Sequence, residues 1–222
     1  MDGREAKDRL YEAFARTAQA VASPKRIEVL ELLAQGEHAV EALARATGMT
    51  VTNTSAHLQV LRHAQLVETR KDATKVFYRL AGDEVAAFLA GLRDLARARV
   101  AEVDRVVRDY FTARDALEPV SRSELAQRAA RGDVVILDVR PAAEFAAGHI
   151  PGALSVPLDD LDAALARLPK RAQVVAYCRG PYCVLAPLAV EPLRVKGYTA
   201  RRLDGGMPEW RLAGLPVAAG AE

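Results

Sequence analysis

The sequence changes character near residues 115–120, and this change constrains the fold more than any other feature. Before it, apolar residues recur at spacings of three and four, as they do in amphipathic helices. After it, short apolar runs such as residues 134–137 (VVIL) and 173–177 (QVVAY) alternate with helical stretches. Apolar runs of this length are typical of parallel strands that are buried on both faces. The sequence therefore predicts two domains, at residues 1–115 and 119–222.

The first domain is predicted to be mainly helical, with a β-hairpin near its end. Residues 23–24 (SP) combine a cap with a first-turn proline, and Gly48 ends a short helix before Thr50 or Thr52, which can cap the next one. A turn at residues 71–74 (KDAT) joins two extended runs into a hairpin. The predicted helices span residues 4–22, 25–34, 40–47 and 51–64, and the predicted strands span residues 66–70 and 75–80.

The second domain is predicted to be an α/β fold, in which helices flank a parallel sheet. Strand-like and helix-like segments alternate along it, as βαβ units require. Residues 141–157 contain three prolines and two glycines and are predicted to be a loop. The predicted strands span residues 134–137, 173–177 and 199–203, and the predicted helices span residues 121–131, 161–168 and 185–195.

One long helix is predicted from Asp83 to about Arg114, with apolar residues repeating along its whole length. This stripe is longer than the core of a small domain can cover. Because an exposed apolar stripe is costly in water, the sequence predicts a homodimer through the N-terminal and 83–114 helices. A linker helix that lies against the second domain is the alternative.

The overall charge does not indicate a nucleic-acid binder, because 31 basic residues nearly balance 29 acidic ones. Residues 62–79 are the exception, with five basic residues against two acidic ones. This local excess of positive charge can face DNA phosphates, or it can be an ordinary solvated face.

The two short helices on either side of Gly48 match the helix-turn-helix plan. The second helix carries short polar side chains that can reach base edges in the major groove of a double-stranded operator, and the hairpin tip can contact the backbone or the minor groove. Val51, Leu58 and Leu61 are predicted to anchor this helix to the core. The candidate DNA-binding residues are Thr52, Asn53, Ser55, His57, Gln59, Arg62, Arg70, Lys71 and Lys75.

Residues 55–67 (SAHLQVLRHAQLV) resemble the recognition-helix signature of the ArsR/SmtB family, and residues 70–80 resemble its wing. The resemblance covers about residues 10–112 and implies a homodimeric winged helix-turn-helix repressor that leaves DNA when an inducer binds. Metal-sensing members carry clusters of Cys or His, whereas this chain has no cysteine before Cys178 and a lone His38. Soft-metal sites need three or four such ligands, so we expect no metal and no cofactor. A winged helix used only for protein contact is the alternative.

Cys178 follows an apolar strand and precedes a predicted helix, in the loop sequence CRGPYC. Backbone amides and a helix start favour a thiolate there, and Arg179 adds positive charge, so the sequence predicts a lowered pKa for Cys178. Such a thiolate can attack a sulfur donor and hold the sulfur as a persulfide. A small buried apolar side chain is the alternative interpretation of a single cysteine.

Several separated motifs in the second domain resemble the rhodanese family over residues 119–217. They are residues 137–141 (LDVRP), 144–145 (EF), 148–153 (GHIPGA), 177–180 (YCRG), 203–210 (LDGGMPEW) and 214–217 (GLPV). The resemblance implies that Cys178 is the catalytic, sulfur-accepting residue, and we expect Asp138 and Arg140 to support the scaffold as a buried pair. The substrate-binding loop that it implies consists of Arg179, Gly180, Pro181, Tyr182 and Cys183.

Two details of this loop narrow its chemistry. Related phosphatases and arsenate reductases carry an arginine six positions after the cysteine, but Val184 stands there, so an oxyanion transition state would lack its clamp. Cys183 is either a packing residue or a resolving thiol that attacks a persulfide or sulfenic acid on Cys178.

The chain is therefore predicted to be a DNA-binding transcriptional regulator, a repressor, that responds to sulfur or redox state through a persulfide on Cys178. A sulfane-sulfur donor is its predicted small-molecule partner. Two alternatives remain open: a thiosulfate or polysulfide sulfurtransferase whose winged helix serves mainly for dimerisation, and a redox or metalloid sensor through Cys178 and Cys183. The charged start of the chain lacks the apolar run of a signal peptide, and we find no apolar membrane span, so we expect a cytoplasmic protein.

Overall fold

The computed structural model describes residues 1–112, 118–165, 168–169 and 172–220. By its contacts the chain divides into two compact units, Met1–Leu89 and Ala90–Glu222. The first half of the predicted boundary, residues 115–117, lies outside the described residues. Residues 90–112, predicted to belong to the first domain, group by contacts with the second unit.

The first unit contains a three-stranded antiparallel sheet beside four helices and the start of a fifth. The sheet has the strand order β1-β3-β2. Its elements are α1 (Gly3–Val21), α2 (Pro24–Leu33), β1 (His38–Ala39), α3 (Val40–Thr47), α4 (Val51–His63), β2 (Val67–Asp72), β3 (Lys75–Leu80) and the start of α5 (Asp83–Arg99).

The turn between α3 and α4 forms as the residue types predict. Gly48 ends α3 in the left-handed region, with φ +65°, and the hydroxyl of Thr50 caps α4 by accepting the Asn53 N–H at 3.2 Å. Leu58 and Leu61 are fully buried in the core of this unit, which holds α4 in place. The prediction that Val51 anchors α4 to the core is wrong, because Val51 lies in the first turn of α4 with 47% of its surface exposed.

The hairpin is tighter than predicted. Lys71 and Asp72 pair with Val76 and Lys75, so they belong to β2 and only two residues remain in the turn. Ala73 takes φ +50° there, which is the local strain that a turn this short imposes. The pairing of β1 with β3 has no signal in the sequence, because a two-residue strand is too short to show a periodicity.

The predicted continuous helix from Asp83 to Arg114 is wrong within the described residues. It breaks at Val100, whose backbone is extended at φ −108° and ψ 101°, and α6 (Ala101–Val106) and a π-helical turn (Val107–Thr112) follow. The charges suit a break, since α5 ends on basic residues and α6 begins on acidic ones. A β-branched residue such as Val100 also has a low helix propensity. Arg114 itself lies outside the described residues.

The second unit is built on a four-stranded parallel sheet with the order β5-β4-β6-β7. Separate apolar clusters, one containing Leu137 and Val174 and the other Ile136 and Val175, make up its core. Its elements after residue 118 are α7 (Arg122–Arg131), β4 (Val135–Asp138), α8 (Ala142–Ala147), β5 (Leu154–Ser155), α9 (Leu161–Leu165), β6 (Gln173–Tyr177), α10 (Leu185–Val195), β7 (Thr199–Arg202) and α11 (Met207–Leu212).

The prediction of a loop over residues 141–157 is wrong in part, because α8 and β5 lie within it. α8 starts directly after Pro141 and ends at Gly148, so both of its ends carry the expected residues although the helix is too short to show a periodicity. The predicted helix at 161–168 ends at Leu165, and residues 166–167 lie outside the described residues. In the described part of the chain, no helix is long and apolar enough to cross a membrane.

Candidate functional sites

The loop that carries Cys178 leaves the middle of the parallel sheet. β6 lies between β4 and β7, and the chain runs from its carboxyl end through Cys178 to the start of α10 at Leu185. Ligand sites of open parallel sheets lie at this edge. The predicted substrate-binding residues 179–183 are all half-buried, so the structure places them together in one partly accessible loop.

Cys178 itself is almost fully covered. Only 1% of its surface is exposed, and it packs in the apolar cluster that includes Ala176 and Ala186. Its Sγ lies 3.8 Å from the carbonyl oxygen of Gly180 and 3.6 Å from that of Cys183. Carbonyl oxygens favour the protonated thiol, because they accept a hydrogen bond from S–H and repel a thiolate.

The predicted lowering of the Cys178 pKa is therefore wrong. Burial raises the pKa of Cys178, and the neighbouring Cys183 thiol raises it further, which together outweigh the N–H groups of Gly180 and Ala186 that favour the thiolate. Cys183 behaves in the opposite way: the hydrogen bond from the Cys178 thiol, helped by the N–H groups of Leu185 and Arg179, lowers the pKa of Cys183 to about 7 in spite of burial. The ionisation of each thiol therefore depends on whether the other carries its proton.

Arg179 does not offer a free positive charge to the loop. Its guanidinium makes a two-pronged ion pair with Glu144, with Nε 3.0 Å from both carboxylate oxygens and one terminal nitrogen 2.6 Å from Oε1. Glu144 is buried, and its carboxylate more than offsets the effect of burial, so the pKa of Arg179 is raised. The pair joins the loop to α8 and fixes the direction of the arginine.

The start of α11 packs directly on the backbone of the Cys178 loop. The Met207 N–H donates to the carbonyl oxygen of Cys178 at 3.2 Å. A Cβ on Gly206 would lie 2.5 Å from that same oxygen and closer still to the nitrogen of Gly180. Gly206 is therefore required by a close approach of two backbones, since its own φ of −153° is open to any residue.

Glu209 connects the start of α11, which packs on the Cys178 loop, to the second half of α5. One carboxylate oxygen accepts the Gly206 N–H at 2.9 Å, and the other forms an ion pair with Arg93. Both Arg93 and Glu209 lie close to Gly180 in the Cys178 loop. The ring of Tyr182 packs against that of Phe111, with the centroids 6.1 Å apart, so residues 90–112 contact the loop at two points.

The predicted supporting residues Asp138 and Arg140 form a fully buried ion pair at the end of β4. The Arg140 Nε lies 2.9 Å and 3.1 Å from the two Asp138 oxygens, and a terminal nitrogen also donates to the Gly148 carbonyl at 2.7 Å. Asp138 on β4 pairs in register with Tyr177 on β6. Tyr177 directly precedes Cys178 in the chain. This pair therefore fixes the strand ends from which the thiol loop departs.

The predicted DNA-facing side chains of α4 lie on its outer surface. Thr52, Asn53, Gln59 and Arg62 are exposed, and Ser55 and His57 are half-buried. Thr52, Gln59 and Arg62 follow one another at spacings of seven and three residues, which places them along one side of the helix, and Asn53 lies next to Thr52. They are the part of α4 that a groove could receive.

Fewer positive charges are available on the hairpin than its number of basic residues suggests. Arg70 is exposed but pairs with Glu37 at 2.6 Å and with Asp72 at 3.3 Å. The ammonium groups of Lys71 and Lys75 are exposed and form no ion pair within the described ranges. The two lysines are therefore the charges at the hairpin tip that remain available to phosphates.

Comparison with known proteins identifies both parts of the chain. The model of the bacterial regulatory protein, arsR family, matches residues 23–69, and that of the rhodanese-like domain matches residues 121–213. An HTH-type transcriptional regulator of Mycobacterium tuberculosis, Rv0324, is 46% identical over 215 residues, which cover 97% of this chain and 94% of that protein. The chain belongs to the ArsR family and carries a rhodanese-like domain. The predicted family and fold class are thus confirmed.

Two further relatives match parts of this ArsR-family protein. A sulfurtransferase of Allochromatium vinosum is 35% identical over 102 residues, which cover 45% of this chain and 94% of the relative. The solution structure of a homodimeric winged helix-turn-helix fragment from Mycobacterium bovis is 43% identical, covers 45% of this chain and 91% of that one, and has a TM-score of 0.41.

Sequence reasoning missed three residues of the rhodanese-like site. Glu144, Gly206 and Glu209 lie in motifs that were recognised, but nothing in the motifs shows that they hold Arg179, the loop backbone and Arg93. Their partners come from distant parts of the chain, so only the fold brings them together. Among the described residues of this ArsR-family protein there is no group of three His, Cys, Asp or Glu side chains that could hold a metal ion.

Proposed function

We propose that this ArsR-family protein is a DNA-binding repressor whose rhodanese-like domain accepts sulfane sulfur as a persulfide on Cys178, and that this shifts its affinity for DNA. The observation that carries the proposal is the position of two free thiols, Cys178 and Cys183, in one loop at the carboxyl end of the central strand β6, in a chain that also has an exposed recognition helix. The near full-length relative named as an HTH-type transcriptional regulator supports the regulatory half.

On the DNA side, α4 enters the major groove and the hairpin tip contacts the backbone. The short polar side chains of Thr52, Asn53 and Ser55 at the start of α4 suit base edges, whereas Lys71 and Lys75 suit phosphates. The remaining residues of the proposed surface are His57, Gln59, Arg62 and Arg70. Arg70 must exchange its contact with Glu37 for a phosphate, so it contributes less than its charge suggests.

On the sulfur side, the loop supplies thiols, backbone N–H groups and a fixed arginine, but no second oxyanion clamp. This set suits a sulfane donor such as thiosulfate or a polysulfide. The sulfurtransferase relative supports the same chemistry. Asp138 and Arg140 act through the strand ends, as supports of the loop.

The coupling between sulfur and DNA is proposed to pass through α5. This helix begins at Asp83 and carries Arg93, which is tied through Glu209 to Gly206 and so to the loop backbone. An added sulfur atom in a loop this closely packed must displace its neighbours. Allosteric coupling of this kind is typically worth about 1–3 kcal/mol, or about 5–150-fold in affinity.

A regulator with these properties should change its operator affinity when it is loaded with sulfur. With an operator obtained by selection from random DNA, polysulfide treatment is expected to lower affinity by about 5–150-fold in the wild type and to leave Cys178→Ser unchanged. Fluorescence anisotropy at fixed salt measures the affinity, and intact mass measures the loading. Equal affinity of the loaded and unloaded wild type would contradict the coupling.

A second candidate function, a sulfurtransferase whose winged helix serves mainly for dimerisation, is favoured by the sulfurtransferase relative. It makes a different prediction in the same experiment: steady transfer of sulfur from thiosulfate to cyanide, together with failure to select any DNA. DNA selection by the wild type would exclude it.

The protein is further proposed to be a homodimer through its N-terminal and 83–112 helices. Leu10, Tyr11 and Phe14 on α1 each expose more than half of their surface, and Phe88 and Leu95 on α5 are also exposed. Apolar patches of this kind on a folded protein mark contact surfaces.

A charge on α1 should therefore dissociate the dimer. Phe14→Glu is expected to sediment as a monomer at micromolar concentration, because burying a carboxylate without a partner is costly. Val195→Glu is the control, since Val195 is 83% exposed on α10, far along the chain from both helices. A Phe14→Glu protein that still sediments as a dimer would exclude α1 from the interface.

A further inference from the structure

Arg93 is a side chain at the Cys178 loop that the rhodanese-like domain itself does not supply. It lies on α5, whereas the rhodanese-like match covers residues 121–213. One of its terminal nitrogens lies 3.6 Å from the position that a Cβ on Gly180 would take. Its side chain is only 16% exposed and forms an ion pair with Glu209, whose side chain is 13% exposed. A largely buried ion pair therefore lies against the backbone of the loop.

Glu209 carries this contact to the backbone that bears the thiol. Its second carboxylate oxygen accepts the Gly206 N–H at 2.9 Å, and the adjacent Met207 N–H donates to the carbonyl oxygen of Cys178 at 3.2 Å. A carboxylate that binds a guanidinium on one side and a backbone N–H on the other has its direction fixed by both. Arg93 is therefore connected to the Cys178 backbone through Glu209 and the start of α11.

Phe111 holds the same loop at a second point. It lies in the π-helical turn after α6, is 6% exposed, and packs its ring on that of Tyr182, with the centroids 6.1 Å apart. Aromatic contacts of this kind stabilise by more than the area that they bury. Gly180 and Tyr182 both lie in the loop after Cys178, so the loop is held twice by residues that precede the rhodanese-like match.

We propose that Arg93 and Phe111 are positioning residues for the transfer of sulfur to Cys178, so that the site is complete only with residues 93–111 in place. Arg93 acts through Glu209, and Phe111 acts through Tyr182. The proposal rests on the proposed sulfur-accepting function and adds to it the residues that hold its loop.

The reaction makes the position of the loop important. In loading by thiosulfate, the Cys178 sulfur attacks the outer sulfur, the S–S bond of thiosulfate breaks, and sulfite leaves with the electron pair and takes up the thiol proton. A persulfide forms without an added oxidant or reductant. The attack needs the Cys178 sulfur in line with the breaking bond, and a misplacement of about 1 Å in such a geometry can cost about 100-fold in rate.

The test is the rate of sulfur loading in the full chain, followed by intact mass over a range of thiosulfate concentrations, or of polysulfide if thiosulfate does not load the wild type. Arg93→Ala is expected to lower the maximal rate by about 10–100-fold and to leave the half-saturating concentration unchanged, because Arg93 holds the loop and not the donor. Arg93→Lys keeps a charge beside Glu209 and should recover most of the loss. Arg97→Ala is the matched control, since Arg97 is exposed one turn further along α5 and forms no ion pair in the part of the chain that the structure describes.

Glu209→Gln tests the route by which Arg93 acts. The glutamine oxygen can still accept the Gly206 N–H, but the ion pair is lost, so this variant should load as slowly as Arg93→Ala, and the double variant no more slowly than either. Phe111→Ala should also slow loading, whereas Phe111→Leu fills most of the same space and should slow it less. Val106→Ala is the control for this residue, because Val106 ends α6 and is 52% exposed.

Trp210 fluorescence in urea shows whether each variant is folded, and Arg93→Gln replaces Arg93→Ala if the alanine variant is not. A folded variant of Arg93 or of Phe111 that loads at the wild-type rate or faster overturns the proposal for that residue, and the proposed function then stands without it. A higher half-saturating concentration with an unchanged maximal rate also overturns it, because Arg93 would then bind the donor itself. If the wild type gains no sulfur from thiosulfate or from polysulfide, the proposed function fails, and the positioning roles fail with it.

Discussion

Asp138→Asn is expected to lower the unfolding free energy of the rhodanese-like domain by about 3–5 kcal/mol. The substitution removes the counter-charge of Arg140, which is fully buried and has its guanidinium within 3.1 Å of both Asp138 oxygens. A buried guanidinium that has lost the carboxylate beside it cannot give up its proton, so the cost of the poorly compensated charge falls on the folded state.

Tryptophan fluorescence measures the loss of unfolding free energy in the rhodanese-like domain. The chain has one tryptophan, and Trp210 is buried in the core of the rhodanese-like domain, so its emission in urea follows the unfolding of that domain alone. Asp162→Asn is the matched control, because Asp162 is 89% exposed and its pair with Lys196 lies at the surface, where ion pairs contribute little. Equal losses in the two variants would show that the buried pair has no special role.

Gly206→Ala is expected to abolish sulfur loading and to destabilise the domain by about 1–3 kcal/mol or more. The added methyl group would lie 2.5 Å from the Cys178 carbonyl oxygen and from the Arg179 carbonyl carbon, and both are backbone atoms. Backbone cannot rotate away as a side chain can. The loop must therefore move, and the Cys178 thiol moves with it.

Gly214→Ala separates this effect from ordinary glycine strain. Gly214 has φ +69° and nothing within 4 Å of its Cβ position, so alanine there strains the backbone by about 1–2 kcal/mol but touches no neighbour. It should lose some stability, measured by Trp210 fluorescence, and still accept sulfur by intact mass. Normal loading of Gly206→Ala would mean that the packing of α11 on the loop is not needed for the chemistry.

Local chemistry made much of the molecule readable from the sequence. Gly48 and Thr50 delimit α3 and α4 by backbone preferences that act within a few residues, and strand β6 is recognisable because a run such as QVVAY suits burial on both faces. The motifs placed Cys178 at the end of that strand. Each of these features depends on neighbours along the chain, which the sequence displays directly.

The state of the thiols depended on the fold. A strand end and a helix start predict an acidic Cys178, yet the apolar cluster packed around it raises its pKa, and the charge of Arg179 is taken up by Glu144, 35 residues earlier in the chain. The break of the long helix at Val100 and the exposure of Val51 were likewise not visible in the spacing of apolar residues.

The sequence by itself determined the family, most of the longer elements and the position of the reactive loop, because these follow from short-range propensity and from motifs. Only the tertiary structure decided which of the two thiols is covered, which charges are neutralised and why Gly206 must have no side chain. Burial and pairing are set by residues that are distant along the chain and close in space, and desolvation by those residues governs the ionisation of a thiol.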